Sequence, residues 1–229
     1  RGQREHAIDG GAGDLIGGTP FLSGLFHDEP SVESLEAMGL DVSGVGNHEF
    51  DEGLPELLRM QNGGCHPVDG CYFPANPFNG ASFRWLAANV VHRETGRTVL
   101  PGTWIKKVSG VKVGFIGMTL HDTPVLVAQA GIQGLEFQDE VTAANRAVRR
   151  LKDRGVETII VMLHEGGLQT GTYGGCTGIS GPIVQIAQRL HPEIDFIASG
   201  HTHQPYICNI PDPLGRPRMV TSASAFGGS

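Results

Sequence analysis

Residues 44–53, GVGNHEFDEG, place Asn47, His48, Glu49 and Asp51 on one short loop directly after an apolar, strand-like run. Further along, MLHEGG ends a second apolar run at His164, and SGHTH ends a third at His201 and His203. Nearer the start, AGDLIGG offers Asp14 behind Gly13. Imidazole, carboxylate and carboxamide together suit borderline divalent ions such as Zn, Mn or Fe better than Ca or Mg, which favour all-oxygen shells. Taken singly, each string says little: an isolated His is more often surface or satisfied core than ligand, and an Asp after Gly is an ordinary turn residue. Three histidine-bearing strings that each close an apolar strand point to one metal site. In SGHTH the two-residue spacing turns both imidazoles to the same side of an extended backbone. In MLHEGG, Gly166 and Gly167 leave room for a close approach.

The elements that must position these residues alternate between short β-rich runs and helical ones, which predicts an α/β layered fold. Helical spacing over 31–38 stops at Gly39, and 41–45 reads as a strand entering the Asn47–His48 loop. Residues 54–61 follow as a helix with Pro55 in its first turn. Residues 63–82 hold Gly, Pro, Asn and two Cys without periodicity and read as an inserted loop. Residues 83–91 and 103–108 read as strands, the latter opening a hairpin whose second arm is 111–119. The longest amphipathic helix spans 139–154 and feeds the strand that ends at His164. Residues 179–190 read as helix, and DFIAS as a strand running into the His201 loop. The candidate ligands thus sit at strand C-termini, where α/β sheets place their ligands.

The 229 residues are 39% hydrophobic and 18% charged, enough for one large domain with a real core. A formal net charge of -7 gives no electrostatic footprint for a nucleic-acid polymer, and the longest basic cluster, Arg149, Arg150, Lys152 and Arg154, reads as a solvated helix face. No run approaches the roughly 18 apolar residues of a membrane span. The 34 glycines fall in turn-like motifs and not in a repeat.

Gly13–Asp14, GNHEFD (46–51), the strand-terminal His164 and GHTH (200–203) together resemble the ordered signature of calcineurin-like binuclear metallophosphoesterases, on the 5'-nucleotidase branch of secreted bacterial proteins. The resemblance runs from about Asp14 to VTSASAFGG. It implies a four-layer βαβα sandwich of the metallophosphoesterase type with two divalent metal ions (Zn, Mn or Fe) between the sheet ends. Asp14 resembles the bridging carboxylate, Asn47, His164 and His201 the other ligands of one metal, and His203 a ligand of the second. His48 resembles the catalytic histidine beside the phosphate, Asp51 the acid that orients it, and Gln204 a contact behind the ligands; Glu49 and Phe50 are expected to pack or cap. The implied activity is hydrolysis of nucleotides or other small phosphoesters, of the 5'-nucleotidase, 2',3'-cyclic phosphodiesterase or nucleotide-sugar hydrolase type, by a metal-bound hydroxide. One departure stands out: the family's Asp-x-His motif is absent, since no Asp in the chain is followed two residues later by His. The segment ahead of Asp14 also lacks an apolar strand pattern. The expectation is therefore a catalytic domain over 1–229 cut at both ends, without its first strand and its C-terminal nucleotide-specificity domain; His6 and Asp9 are weak substitutes for the missing motif. A non-catalytic metal-binding or surface-interaction protein on the same fold is the alternative.

The four cysteines form two pairs by position, Cys65 with Cys71 in the Pro/Gly loop and Cys176 with Cys208 on later loops. Their spacing does not fit a zinc knuckle. Two local disulfides are expected, and with them a secreted, cell-surface or periplasmic location.

Overall fold

In the computed structural model, which describes residues 7–225, strands and helices follow in the order β1 (Gly10–Ala12), α1 (Phe21–Gly24), α2 (Glu29–Met38), β2 (Val42–Gly44), α3 (Gly53–Asn62), β3 (Arg84–Leu86), β4 (Val90–His92), β5 (Thr103–Val108), β6 (Val111–Thr119), β7 (Leu135–Phe137), α4 (Glu140–Asp153), β8 (Thr158–His164), α5 (Pro182–Arg189), β9 (Phe196–Ser199), β10 (Tyr206–Pro211) and β11 (Pro217–Ser222). Local chemistry explains the best-defined boundaries. The Asp139 carboxylate caps α4 by accepting from the Thr142 amide at 2.7 Å. Val141, Ala144, Val148 and Leu151 then recur on its buried face. Gly39, at φ +92°, ends α2 in the left-handed region where glycine costs least.

The strands form two principal sheets. β1, β2 and β3 make a parallel three-stranded sheet, and a six-stranded sheet has the order β10-β11-β9-β8-β6-β5, parallel from β6 through β8 and β9 to β11 with an antiparallel strand at each edge. Val42, Leu86, Phe115 and Met162 pack the two sheets face to face. Outside the larger sheet, Val148 and Leu151 of α4 and Ile183 and Ala187 of α5 cover Ile116, Ile159 and Ile197. Outside the smaller one, Val32 of α2 and Leu57 and Met60 of α3 pack with Phe50 and Trp85. Helix, sheet, sheet, helix is the four-layer arrangement the resemblance implied. Among the described residues, no helix is long and apolar enough to cross a membrane.

Two details differ from the sequence reading. The run 83–91 divides: β3 joins β2, whereas β4 pairs antiparallel with β7 in a separate two-stranded sheet. The buried Asn89 sits at the break. Its amide donates to the carbonyls of Thr119 and Gln138 while its oxygen accepts from the Thr119 amide, so polar pairing redirects the chain between sheets. A strand also exists directly ahead of Asp14, although Gly10, Gly11 and Ala12 carry no apolar pattern. Its small residues suit its position, because a Cβ on Gly11 would fall 2.8 Å from Ser43 Oγ.

One buried cation holds the link between α5 and β9. Arg218, 3% exposed, donates to the carbonyls of Ala187, Leu190, His191 and Ile194. Carbonyls at a helix C-terminus lack partners within the helix, and a positive charge there is favourable. Replacing Arg218 with Leu leaves several buried acceptors unpaired and is expected to destabilise the fold by about 2–4 kcal/mol in urea unfolding, from a penalty of about 1–3 kcal/mol per buried orphaned group.

Candidate metal centre

The C-terminal ends of β1, β2, β8 and β9 converge, and each delivers part of one cluster. Ala12 leads through Gly13 to Asp14, Gly44 to Asn47 and His48, β8 ends in His164, and Ser199 leads through Gly200 to His201 and His203. Asp14 (φ +55°), His201 (φ +70°) and His203 (φ +56°) are non-glycine residues in the left-handed region, which costs roughly 1–2 kcal/mol each. Such strain persists where surrounding structure over-determines it, and it clusters at functional sites.

Glu49 supplies much of that surrounding structure. Its carboxylate is 2% exposed and accepts from the amides of Asp14 (2.9 Å), Leu15 (2.7 Å) and Gly46. The loops leaving β1 and β2 are thereby tied together through one side chain. They touch so closely that a Cβ on Gly46 would fall 2.2 Å from Asp14 Oδ1. The His48 amide adds a fourth link by donating to Asp14 Oδ1 at 3.0 Å.

The side chains converge in a way that fits a cation. His164 donates Nδ1–H to the Ala12 carbonyl at 2.7 Å, which leaves Nε2 as the nitrogen available to a ligand. That Nε2 lies 2.8 Å from Asp14 Oδ2, yet the approach lacks the direction of a hydrogen bond, and both Nε2 and the buried Asn47 Oδ1 are without a hydrogen-bond partner. Among the described residues only Trp85 Nε1 shares that condition, so two of the three orphaned buried side-chain atoms lie in this cluster. Asp14, His164 and His201 each bring a donor atom within 4.8 Å of the others, and the rings of His164 and His201 meet edge-on at 5.2 Å. The donor set and its orphaned atoms fit a divalent ion.

The electrostatics agree. Burial opposes ionisation of Asp14, but the nearby His164 and the His48 amide outweigh it and hold the carboxyl below its ordinary value. Burial likewise opposes charge on His164, and Asp14 overrides it, raising the imidazole. His201 is lowered by burial and by the charge of His164.

His48 and Asp51 stand beside the cluster. Asp51 Oδ2 lies 2.7 Å from His48 Nδ1, which leaves Nε2 of this half-exposed ring for a ligand, and Asp51 raises the His48 pKa against the effect of burial. His48, His164, His201, His203 and Asp14 line a cavity of about 260 Å³ floored by Gly13, Gly17, Gly18, Ser199 and Gly200. Gly18 packs on the His48 ring, where a Cβ would come within 3.1 Å. Gln204 is half-buried, lies outside that lining and makes no hydrogen bond to a site residue. Asp9 is at the far end of β1, bonded to Asp41, and so cannot substitute for the missing motif; His6 lies outside the described residues. Cys65 pairs with Cys71 and Cys176 with Cys208, as expected. The sequence did not reveal Asp28, whose carboxylate accepts from the Gly17 amide at 2.8 Å and from the hydroxyls of Thr19 and Ser23, holding the glycine wall against His48. An acid on a short turn carries no signal of that reach.

Burial and the Asp14 charge push Glu49 from its ordinary 4.5 to about 7. A raised carboxyl favours the protonated folded state, so its contribution to stability is complete below 4.5 and lost as pH rises through about 7. The raised His48 and His164 act in the same direction, and the lowered His201 in the opposite one. In chelator, wild-type protein should therefore lose more thermal stability between pH 4.5 and 7 than Glu49→Gln, with the variant about 1–3 kcal/mol less stable at the start for want of acceptors. Parallel pH profiles would contradict this.

No protein-family model matches the chain. It is 40% identical over 204 residues to Endonuclease YhcR of Bacillus subtilis (strain 168), covering 89% of this chain and 16% of that one. It is 29% identical over 196 residues to a 5'-nucleotidase of Vibrio cholerae serotype O1, covering 84% of this chain and 32% of the relative. A 5'-nucleotidase precursor from Thermus thermophilus shares the fold with a TM-score of 0.72 and 23% identity, over 97% of this chain and 40% of that one. The chain spans 16% to 50% of the length of the first curated relatives it matches.

Proposed function

Since the chain is a relative of the 5'-nucleotidases that carry the calcineurin-like phosphoesterase fold, we propose that it is a metal-dependent phosphoester hydrolase acting on nucleotides. The observation that carries this reading is the pair of orphaned buried atoms, Asn47 Oδ1 and His164 Nε2, beside Asp14 at the strand ends. Asp14, Asn47, His164 and His201 would hold one divalent ion, with Asp14 and His203 contributing to a second. Zn, Mn and Fe all suit this donor set. A divalent ion there supplies positive charge for the phosphoryl oxygens and lowers the pKa of water toward neutrality.

The remaining steps belong to the chain. Asp51 accepts a hydrogen bond from His48 Nδ1–H and fixes the ring, and by raising its pKa favours the protonated form. Its Nε2–H then donates to a phosphate oxygen and to the leaving oxygen as negative charge grows there. Gly17 and Gly18 allow the substrate to approach the ring without a side chain between them. Asn47 contributes a neutral oxygen, which holds a cation without adding negative charge against the phosphate. Two disulfides support an exported, oxidising location.

A second reading concerns the ester. The relative named an endonuclease favours a phosphodiester substrate in place of a monoester. Turnover with AMP, 2',3'-cyclic AMP, bis(p-nitrophenyl) phosphate and a single-stranded oligonucleotide separates the two. On the preferred substrate, His48→Ala should lower kcat by about 10²–10⁴-fold with metal content retained, and Asp14→Asn should lose metal and activity together. Full activity in both variants would refute the roles assigned here, and no turnover of any ester by metal-loaded wild type would favour the non-catalytic binder.

A further inference from the structure

A second convergence of imidazole and carboxylate groups lies away from the Asp14 centre and joins three segments. His27 follows α1, Glu52 immediately precedes α3, and His66 and Asp69 sit within the ring closed by the Cys65–Cys71 disulfide. The His27 and His66 rings stack with centroids 3.8 Å apart and planes 15° from parallel, and their side chains are only 15% and 13% exposed. Asp69 Oδ2 faces one end of the pair, 2.9 Å from His27 Nε2 and 3.4 Å from His66 Nδ1. Glu52 Oε2 faces the other, 2.8 Å from His27 Nδ1 and 4.0 Å from His66 Nε2.

Charge balance shows what the cluster needs. Two further acids nearby, Glu29 and Glu56, are met by Arg59 at 2.6 and 2.7 Å. Among the described residues, Glu52 and Asp69 have only the two histidines as ion-pair partners. Neutral imidazoles leave that negative charge uncompensated; a proton on His27, whose two ring nitrogens each face a carboxylate, or a cation held among the groups compensates it.

The surrounding loops are built to hold the donors in place. His27 and Asp28 adopt φ of +47° and +62°, the left-handed region that few non-glycine residues enter and that His and Asp enter more readily than most. Tyr72 Oη donates to the Leu25 carbonyl at 3.0 Å, and its ring meets Phe26 edge-on, which clamps the disulfide loop onto the His27 turn. Within that loop His66 and Gly70 exchange backbone hydrogen bonds at 3.1 and 3.0 Å, which fixes His66 and Asp69 relative to each other.

We propose that His27, His66 and Asp69 form a second divalent-cation site of the zinc class, with Glu52 accepting the far N–H of His27. One donor atom from each of the three ligands already lies within 4.8 Å of the others. A carboxylate on the outer N–H of a metal-bound histidine fixes its tautomer and raises its basicity. Three protein ligands leave a fourth tetrahedral position for solvent. Binding requires two local changes: the Asp69 amide releases His66 Nδ1, now 3.1 Å away, and the stacked rings splay so that their lone pairs converge. The site is independent of the Asp14 centre but adjoins its wall. Glu52 follows Asp51, and Asp28, next to His27, holds the Gly17 amide. A cation here would pin the disulfide loop to the turn that supports the cavity.

The test compares zinc content per chain, by elemental analysis after equilibration with zinc-buffered solution, in wild type, His27→Asn and Asp69→Asn. Asn tolerates the left-handed backbone at position 27, and the Asp69 change is isosteric, so both variants retain the fold, which their unfolding midpoints in chelator verify. Both variants should carry one zinc fewer than wild type and lose part of the zinc-induced rise in unfolding temperature. Equal zinc content in all three proteins would overturn the proposal and leave the cluster as a proton-bridged clamp only.

Discussion

The Asp14 centre depends on one buried carboxylate. Glu49 accepts from the amides of Asp14, Leu15 and Gly46, so two loops that leave neighbouring parallel strands meet at a single charged acceptor. Burial and the Asp14 charge still hold the Glu49 carboxyl up at about 7, so the hydrogen bonds from Leu15 and Gly46 offset its desolvation only in part. The same short turn, residues 48–50, follows directly on Asn47 and carries His48 into the cavity lining. A carboxylate that touches no substrate thus determines where the candidate ligands stand.

The second constraint is the packing of two sheets. β1 and β2 belong to the smaller sheet and β8 and β9 to the larger, so the candidate ligands come together only when the layers lie at the right separation. Glycine makes that separation short. A Cβ on Gly44 would fall 2.7 Å from the Met162 carbonyl, and one on Gly117 would fall 2.9 Å from the Gly44 Cα. Arg218 acts at greater distance, by holding the link that leads from α5 into β9 and so toward His201.

Much of this was legible in the sequence because it is local. His164, His201 and His203 follow apolar runs, and the run itself announces a buried parallel strand whose end carries chemistry. The amphipathic stripe of α4 and the pairing of the four cysteines were equally plain. β1 was not, since Gly-Gly-Ala has no hydrophobic period and is a strand only because Val42, Ser43 and Gly44 pair with it. The break between β3 and β4 was hidden by a continuous apolar run, and tertiary hydrogen bonds of Asn89 decide it. Glu49 was expected to pack or cap, and it caps loops other than its own helix. His27 and Asp69 are 42 positions apart in sequence, so no spacing rule brings them together.

The central claim is that Asp14, Asn47, His164 and His201 share one cation. Anomalous diffraction at the manganese edge from crystals equilibrated with Mn²⁺ addresses it most directly. The account predicts a peak at coordination distance from Asp14, Asn47 Oδ1, His164 Nε2 and His201. A fully occupied lattice of protein with no peak at that position, while activity on phosphoesters persists, would contradict it.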